Sequence, residues 1–325
     1  MSLAIVFSPQ GSQSVGMGRE LATTWPSAAA VFAEADAALG WPVSTLCWDG
    51  PAERLNDTRQ TQPCLVATSL ACLRALEEAS AGVGRALSPA FMAGHSVGEY
   101  AALAAAGVLS LADALRLVAL RGALMADAGA DGGMAAVIGL DREAVAQAVE
   151  RAASEAGTGH DPVLANDNAP GQVVISGSRP ALAAAQPHLS AAGARRIIPL
   201  NVSGPFHSPF MADAGRRLAE AFGDVAWSEA DPPLVANVNA QPVREPNEIR
   251  ELLARQVSAP VEWVRSVQRL VADGVDTIVE CGPGQALTGM VKRIAPELRA
   301  LNVMDSTSLA ATLRELTSTT AEASV

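Results

Sequence analysis

The sequence contains little cysteine, one lysine and no excess of positive charge. Its four cysteines, at positions 47, 64, 72 and 281, lack the spacing of a metal clip or a redox motif, which favours a reduced, cytoplasmic protein. Lys292 is the only lysine, and the net charge over 325 residues is −11. This charge gives no general attraction for nucleic acid, so we expect no nucleic-acid partner, and an acidic substrate needs a local basic patch.

Long hydrophobic runs are lacking as well. The first ten residues carry no basic region and their apolar run covers only Leu3 to Phe7, so they are not expected to form a signal peptide. The longest apolar stretches are alanine-rich and far shorter than the roughly 20 residues that cross a bilayer. With 49% hydrophobic residues, the composition instead predicts a globular protein with a large core and no membrane segment.

The order of the predicted elements indicates an α/β protein with an inserted domain. Between 133 and 202 the order is β-α-β-β-α-β, the ferredoxin-like arrangement. On both sides of this segment strands alternate with helices, which is the pattern of a layered α/β domain. These outer elements are strands at 3–7, 89–94, 233–238 and 275–280 and helices near 15–40, 61–79, 99–106, 111–127, 246–256 and 260–273. We therefore expect a large domain of residues 1–132 and 203–325 and a small domain of residues 133–202.

The segment Gly94-His95-Ser96-Val97-Gly98 lies between a predicted strand and a predicted helix. This is the G-x-S-x-G nucleophile elbow in the context that it requires. The turn presents the serine hydroxyl, and the following helix offers free N–H groups and the positive end of its dipole. The pattern predicts Ser96 as a nucleophile, with the Val97 N–H directed at the oxyanion. A purely structural turn is the alternative.

A serine nucleophile needs a base, and the chain has four histidines. His95 adjoins the nucleophile, so its side chain should leave the turn in another direction, and His160 and His188 belong to the predicted small domain. His207 lies where the chain re-enters the large domain and a cleft is expected, which makes it the predicted base. What orients His207 stays open, because no acidic residue between it and Ser96 occupies a convincing strand-end loop. A backbone carbonyl is the alternative.

Arg121 lies in the middle of a predicted helix among leucines. A guanidinium on an apolar stretch needs a partner. It can form a buried salt bridge, extend to the surface, or bind a substrate carboxylate through two hydrogen bonds. The residues alone leave these alternatives open.

Several motifs together resemble the malonyl-CoA:acyl carrier protein transacylases of fatty acid synthesis and the acyltransferase domains of polyketide synthases. The resemblance extends from Phe7 to about Arg293, and several motifs in one order are more specific than any single motif. The matching motifs are QGSQ at 10–13, GHSVGEY at 94–100, RG at 121–122, NDNAPGQVVISG at 166–177, GPFHSPFM at 204–211, RQVSAPVEW at 255–263 and ECGPGQALTGMVKR at 280–293. The resemblance implies an α/β-hydrolase-like large domain with a ferredoxin-like small domain inserted in it.

The resemblance also implies a role for each matching residue. Ser96 matches the nucleophile, His207 the general base, and Arg121 the arginine that pairs with the malonyl carboxylate. The N–H groups of Gln10 and Val97 match the oxyanion hole, and Gln256 matches the residue whose backbone carbonyl orients the histidine. The positions that match the substrate pocket are Met125, Asn166, Asn168 and Phe206, and Arg195 and Arg196 match basic residues facing the phosphate-bearing arm of the thioester.

One departure from the family lies in front of the loop glutamine. The family usually has Phe-Pro-Gly there, whereas this chain has Phe7-Ser8-Pro9. Proline fixes its own φ and favours an extended Ser8, but it leaves the N–H of Gln10 in place. We therefore expect the donor to survive, although the resemblance no longer fixes its direction.

The implied reaction is a ping-pong transfer. His207 takes the proton of Ser96 as the serine attacks the thioester of malonyl-CoA, coenzyme A leaves, and the phosphopantetheine thiol of an acyl carrier protein reverses the steps. No metal or redox cofactor is needed, and we expect a monomer. Three alternatives stay open: a polyketide-pathway acyltransferase or acyl hydrolase with another acyl unit, a plain esterase or thioesterase, and a silent binding module on the same fold.

Overall fold

The computed structural model describes residues 2–129, 131–157 and 161–318. Within these ranges the chain forms ten strands in two sheets, together with fourteen α-helices. The strands are β1 Leu3–Phe7, β2 Phe91–Gly94, β3 Gly132–Ile138, β4 Val163–Ala169, β5 Gln172–Ser178, β6 Arg196–Pro199, β7 Leu234–Val235, β8 Pro242–Val243, β9 Thr277–Cys281 and β10 Arg299–Val303. The helices are α1 Arg19–Thr24, α2 Pro26–Leu39, α3 Val43–Asp49, α4 Ala52–Leu55, α5 Thr58–Gly82, α6 Gly98–Ala105, α7 Leu111–Asp127, α8 Arg142–Ala156, α9 Arg179–Ala191, α10 Ala212–Ala221, α11 Pro246–Gln256, α12 Trp263–Ala272, α13 Ala286–Ile294 and α14 Ser306–Ser318.

The larger sheet has the strand order β10-β9-β1-β2-β7-β8, and its pairs are parallel except for β7 with β8. The central strand β1 is an apolar run in which every residue is buried, as expected for a parallel strand covered on both faces. Phe7 lies opposite Gly94 of β2 and opposite Cys281 of β9. The segments that follow these three strands therefore leave the sheet at the same edge.

The smaller sheet is antiparallel, with the strand order β4-β5-β3-β6. Helices α8 and α9 cover one face, where Val137, Val173 and Ile175 form a separate core with them. Successive side chains of a strand point to opposite faces, so Met134 and Val174 point away from these helices. Both belong to the main core, which places the second face of the small sheet towards the rest of the molecule.

Strand β4 joins the small sheet to the segment that precedes α12. The Asp167 N–H donates to Val261 O at 3.0 Å, and the Val261 N–H donates to Ala165 O at 2.9 Å. Arg142 at the start of α8 binds both oxygens of Glu262, at 2.7 and 2.8 Å. These contacts fix the position of β4 relative to the larger sheet.

The boundaries of the first helices differ from the sequence prediction. The helix predicted at 61–79 begins at Thr58, because the Asp57 carboxylate caps it by accepting the Arg59 N–H. The pattern at 15–40 forms two helices, which separate where Trp25 takes an extended conformation before Pro26. Among the described residues, no helix is both long enough and apolar enough to cross a membrane.

Candidate active site

The elbow between β2 and α6 holds Ser96 in a left-handed conformation, with φ of 53°. This region is unusual for a residue other than glycine. Gly94 and Gly98 pack so closely that a Cβ on Gly94 would overlap the backbone of Gly98, and one on Gly98 would overlap the Phe7 carbonyl. Asn237 secures the turn, because its Oδ1 accepts the Ser96 N–H at 2.7 Å and its Nδ2 donates to Gly94 O at 2.6 Å.

The hydroxyl of Ser96 lies against the ring of His207, with 2.7 Å between Oγ and Nε2. On the other side of the ring, Nδ1 lies 2.9 Å from Gln256 O and 3.1 Å from Ala259 O. Carbonyl oxygens only accept, so Nδ1 carries the proton and Nε2 is free to accept the serine proton. Burial, assisted by the charge of Arg121, lowers the pKa of His207 to about 3. The imidazole is therefore neutral and able to act as a base at physiological pH.

Arg121 is buried at the base of the site and is 1% exposed. Its Nη1 donates to Gln62 Oε1 at 2.7 Å, and its Nη2 donates to Gln256 Oε1 at 2.8 Å and to Ser96 Oγ at 3.1 Å. Burial lowers the pKa of its guanidinium. The sequence left three arrangements of Arg121 open. Among the described residues Arg121 forms no salt bridge, and its burial excludes a position at the surface.

Gln256 connects the base, the arginine and the elbow. Its backbone oxygen accepts from His207, its Oε1 accepts from Arg121, and its Nε2 donates to Ser96 O at 2.8 Å and to Glu99 Oε2 at 2.7 Å. Burial raises the pKa of the Glu99 carboxyl to about 7. Sequence reasoning did not single out Glu99, although a charged residue at the start of an apolar helix was a signal that could have identified it. The roles of Asn237 and Ala259 carried no comparable signal.

A cavity of about 390 Å³ opens between the two sheets in front of Ser96, a size typical of small-molecule sites. The structure brings most of the predicted site residues to its wall. Those that line it are Gln10, Ser96, Arg121, Met125, Asn166, Asn168, Phe206 and His207. Val97 and Gln256 lie behind the wall and are buried.

Arg195 and Arg196 are not part of this wall. Both are exposed, and Arg196 lies on β6 at the edge of the small sheet, opposite Ile138. Arg195 directly precedes β6, and Arg196 is its first residue. A role towards the distal part of a ligand stays a prediction.

The two other histidines that the structure describes, His95 and His188, each contact a partner other than Ser96. His95 lies at the cavity wall, where its Nε2 bonds Asn168 Oδ1 at 2.8 Å, and burial lowers its pKa to about 4. His188 pairs with Glu155 at 3.1 Å, between α9 and α8. His160 lies outside the described residues.

The loop after β1 forms the part of the wall that lies beside the elbow, since the Phe7 and Ser8 carbonyls approach Gly98. Pro9, Gln10 and Gly11 line the cavity, and Gln10 Oε1 accepts from Thr58 Oγ1 at 3.0 Å. Within the described part of the chain, neither the Gln10 nor the Val97 amide donates to a protein acceptor. Two such amides beside an activated serine are the components of an oxyanion hole.

An α/β fold that presents a strained serine to a neutral, carbonyl-oriented histidine is typical of enzymes that transfer acyl groups through a serine ester. The sequence model of the acyl transferase domain matches residues 4–323, and the chain belongs to that family. The family resemblance predicted from the motifs is thereby confirmed.

The curated relatives and solved structures extend this finding over the whole chain. A malonyl CoA-acyl carrier protein transacylase of Salmonella typhimurium is 44% identical over 314 residues, which is 96% of this chain and 99% of the relative. One of Bacillus subtilis is 40% identical over 316 residues, which is 97% of each. A chain from a solved structure of a type II PKS acyl-carrier protein in complex with its malonyl-transacylase matches at 40% identity and TM-score 0.91. The match covers 97% of the present chain and 100% of the chain in that structure. The predicted α/β class is confirmed by a transacylase structure from Clostridium perfringens, at TM-score 0.92 and 34% identity, which covers 100% of both chains.

Proposed function

We propose that the protein transfers a malonyl group from malonyl-CoA to the phosphopantetheine thiol of an acyl carrier protein, through an ester on Ser96. The observation that carries this proposal is the buried Arg121, whose Nη2 lies 3.1 Å from Ser96 Oγ and which has no ion-pair partner among the described residues. A buried charge needs a partner. A malonyl ester on Ser96 carries its free carboxylate one methylene beyond the carbonyl, so the substrate supplies the missing negative charge.

The chemistry follows from the Ser96–His207 pair. His207 Nε2 takes the hydroxyl proton as Oγ attacks the thioester carbonyl, and the oxyanion lies near the N–H groups of Gln10 and Val97. The tetrahedral intermediate collapses to the ester, the carbon–sulfur bond breaks, and coenzyme A leaves as a thiol with the proton from His207. The carrier thiol then attacks the ester, and the same groups act in reverse.

The charge of Arg121 also links substrate binding to the strength of the base. It contributes to the low pKa of His207, because a nearby cation disfavours the imidazolium. A malonyl carboxylate compensates that charge and makes His207 a stronger base. A monoacyl group leaves the charge uncompensated, so the site favours acyl groups that carry an acid.

A transfer assay tests this function against its alternatives. Labelled malonyl-CoA is mixed with the protein and a panel of phosphopantetheinylated carriers, and the products are measured by mass spectrometry. Malonyl on a carrier is the expected product. Release of free malonate alone would indicate a hydrolase, and no adduct at all would indicate a binding module. The preferred carrier assigns the pathway to fatty acid or polyketide synthesis.

Replacing Arg121 with Ala should reverse the preference for an acid. A bidentate, charge-assisted contact contributes roughly 1.5–3 kcal/mol, so malonyl transfer falls by at least about tenfold while acetyl transfer holds or rises. The rates of acylation by malonyl-CoA and acetyl-CoA are compared by mass spectrometry. Arg116→Ala on the same helix is the matched control, because it removes an exposed arginine paired with Asp113. An unchanged preference of Arg121→Ala for malonyl would make Arg121 structural.

Phe206 should set the space beside the acyl group. It is buried in the cavity wall next to His207, and the resemblance links a bulky residue here to malonyl preference. Phe206→Ser opens room for one methyl, which is worth about 1–3 kcal/mol, so methylmalonyl is accepted without complete loss of malonyl transfer. Competition between malonyl-CoA and methylmalonyl-CoA measures the change. The exposed Phe210→Ser is the control. A wild type that accepts both equally would refute the argument and favour a polyketide role.

We also propose the finer division of the fold. Residues 1–132 and 203–325 form an α/β-hydrolase-like domain, and residues 133–202 form a ferredoxin-like domain. The chain order β3-α8-β4-β5-α9-β6 and the strand order β4-β5-β3-β6 support the second assignment. The four free cysteines support a reducing, cytoplasmic setting, in which the protein acts as a monomer without nucleic acid or membrane.

A further inference from the structure

Ser8 and Pro9 are the two positions at which this chain departs from the Phe-Pro-Gly of the family resemblance, and the side chain of Ser8 is fully buried. It follows β1 directly, and its Oγ donates to Glu280 Oε1 on the neighbouring strand β9 at 3.3 Å. Proline at this position has no hydroxyl and cannot make this contact. The hydrogen bond is therefore a property of this chain rather than of the usual motif.

Glu280 is a buried carboxylate that caps the first turn of α13. It accepts the N–H of Leu287 at 3.1 Å, the N–H of Thr288 at 2.7 Å and the hydroxyl of Thr288 at 2.7 Å. Met290 of the same helix lines the cavity. A carboxylate held by three donors of one helix is a fixed point, and the Ser8 hydroxyl attaches the loop after β1 to it.

The packing around Ser8 leaves its side chain little freedom. A Cβ on Gly282 would lie 2.5 Å from Ser8 Oγ and 2.5 Å from Ser69 Oγ, so the Ser8 side chain already fills this space. On its other side, the Ser8 carbonyl approaches Gly98, the first residue of the elbow helix. Ser8 is thus held between the elbow and the turn that follows β9.

Pro9 couples the position of Ser8 to the orientation of Gln10. Its ring fixes φ, so few rotations separate the Ser8 peptide from the amide of Gln10. Residues before proline favour extended structure, which restricts Ser8 further. Holding the Ser8 side chain therefore restricts the direction of the Gln10 N–H, which lies on the loop that lines the cavity beside the elbow.

We propose that Ser8 is a positioning residue for acyl transfer: its hydrogen bond to Glu280 directs the Gln10 N–H at the oxyanion. This inference rests on the proposed function. The usual loop sequence is rigid because of its proline backbone, whereas here the side-chain contact of Ser8 supplies that rigidity. Ser8 contacts neither the substrate nor the reacting atoms, so it acts through Gln10.

Ser8→Ala tests the inference by comparing the two half-reactions with binding. Complete loss of an oxyanion donor slows catalysis by about 10²–10³, so a misdirected donor should slow acylation and deacylation alike by about tenfold. Rapid mixing of the enzyme with malonyl-CoA gives the rate of acylation. Rapid mixing of the malonylated enzyme with a carrier gives the rate of deacylation. The Kd for malonyl-CoA is compared between Ser96→Ala and the double variant Ser8→Ala/Ser96→Ala. The two values should be equal, because ground-state binding does not use the Gln10 N–H.

Ser69→Ala is the matched control. Ser69 is equally buried against Gly282, and among the described residues its hydroxyl has no hydrogen-bond partner, so both rates should keep their wild-type values. Unchanged rates in Ser8→Ala, slowing of one half-reaction only, or weaker binding that accounts for the slowing would each overturn the inference. If Ser8→Ala does not fold, Ser8→Gly, which also removes the hydroxyl and adds no volume, is measured in its place under the same criteria.

Acylation by p-nitrophenyl acetate separates this inference from the proposed function. This ester uses the same serine and the same oxyanion site but needs neither coenzyme A nor a carboxylate. A wild type that reacts with p-nitrophenyl acetate and not with malonyl-CoA would overturn the function alone. Equal release of nitrophenol by Ser8→Ala and wild type would overturn the role of Ser8 alone.

Discussion

Ser96→Ala removes the malonyl adduct that the wild-type protein forms with malonyl-CoA. The elbow presents no other hydroxyl to His207, whose Nε2 lies 2.7 Å from Ser96 Oγ. Loss of the nucleophile from such a pair slows turnover by on the order of 10⁶-fold in a serine protease, so transfer to a carrier should fall below detection. Intact-protein mass spectrometry after mixing with malonyl-CoA measures the adduct directly.

Ser96→Ala should keep the wild-type fold and still bind malonyl-CoA. The change removes one acceptor of Arg121 Nη2, which keeps its hydrogen bond to Gln256 Oε1. The other lining side chains stay in place, so calorimetry should detect binding of malonyl-CoA to Ser96→Ala, and circular dichroism should match the wild type. An adduct of equal yield on Ser96→Ala would show that another residue is the nucleophile. Loss of binding together with the adduct would show that the substitution had disturbed the cavity itself.

His207→Ala slows both half-reactions by roughly a thousandfold or more. One imidazole accepts the proton from Ser96 in acylation and from the carrier thiol in deacylation, so the two rates fall together. His95 cannot replace it, because its Nε2 is bound to Asn168 at 2.8 Å. Single-turnover rates with malonyl-CoA, and then with a carrier, measure the two steps.

The matched control is His188→Ala, which removes a histidine between α8 and α9 and should leave both rates unchanged. Normal acylation by His207→Ala would refute its role as the base.

The elements that the sequence predicted well are those with an unambiguous hydrophobic pattern. β1 is apolar at every position and wholly buried, and it occurs where it was expected. The strand β10 was missed because, of its five residues, only Val303 is buried, so its pattern is that of an edge strand with no clear face. Helix α10 was also missed: its buried residues are Ala214, Gly215 and Leu218, of which only Leu218 is a large apolar side chain.

The site followed from the sequence only where a local motif carried it. The elbow identified Ser96, and elimination identified His207, but the carbonyl of Gln256 was assigned from the resemblance alone. The contacts that assemble the site join residues far apart in the chain, such as Ser96 with Asn237, separated by 141 positions. No local pattern encodes such a contact, so Asn237 emerges only from the folded structure, whereas Glu99, a charged residue at the start of an apolar helix, carried a local signal.

Both reacting residues share one backbone property: φ is 53° at Ser96 and 56° at His207. For an L-residue the left-handed conformation costs about 1–2 kcal/mol, against a total folding stability of about 5–15 kcal/mol. The most heat-resistant sequence for this backbone would have glycine at both positions and would transfer nothing. Selection for thermal tolerance and selection for turnover therefore oppose each other at these two positions, and thermostable forms of the enzyme should acquire their stabilising substitutions elsewhere in the chain.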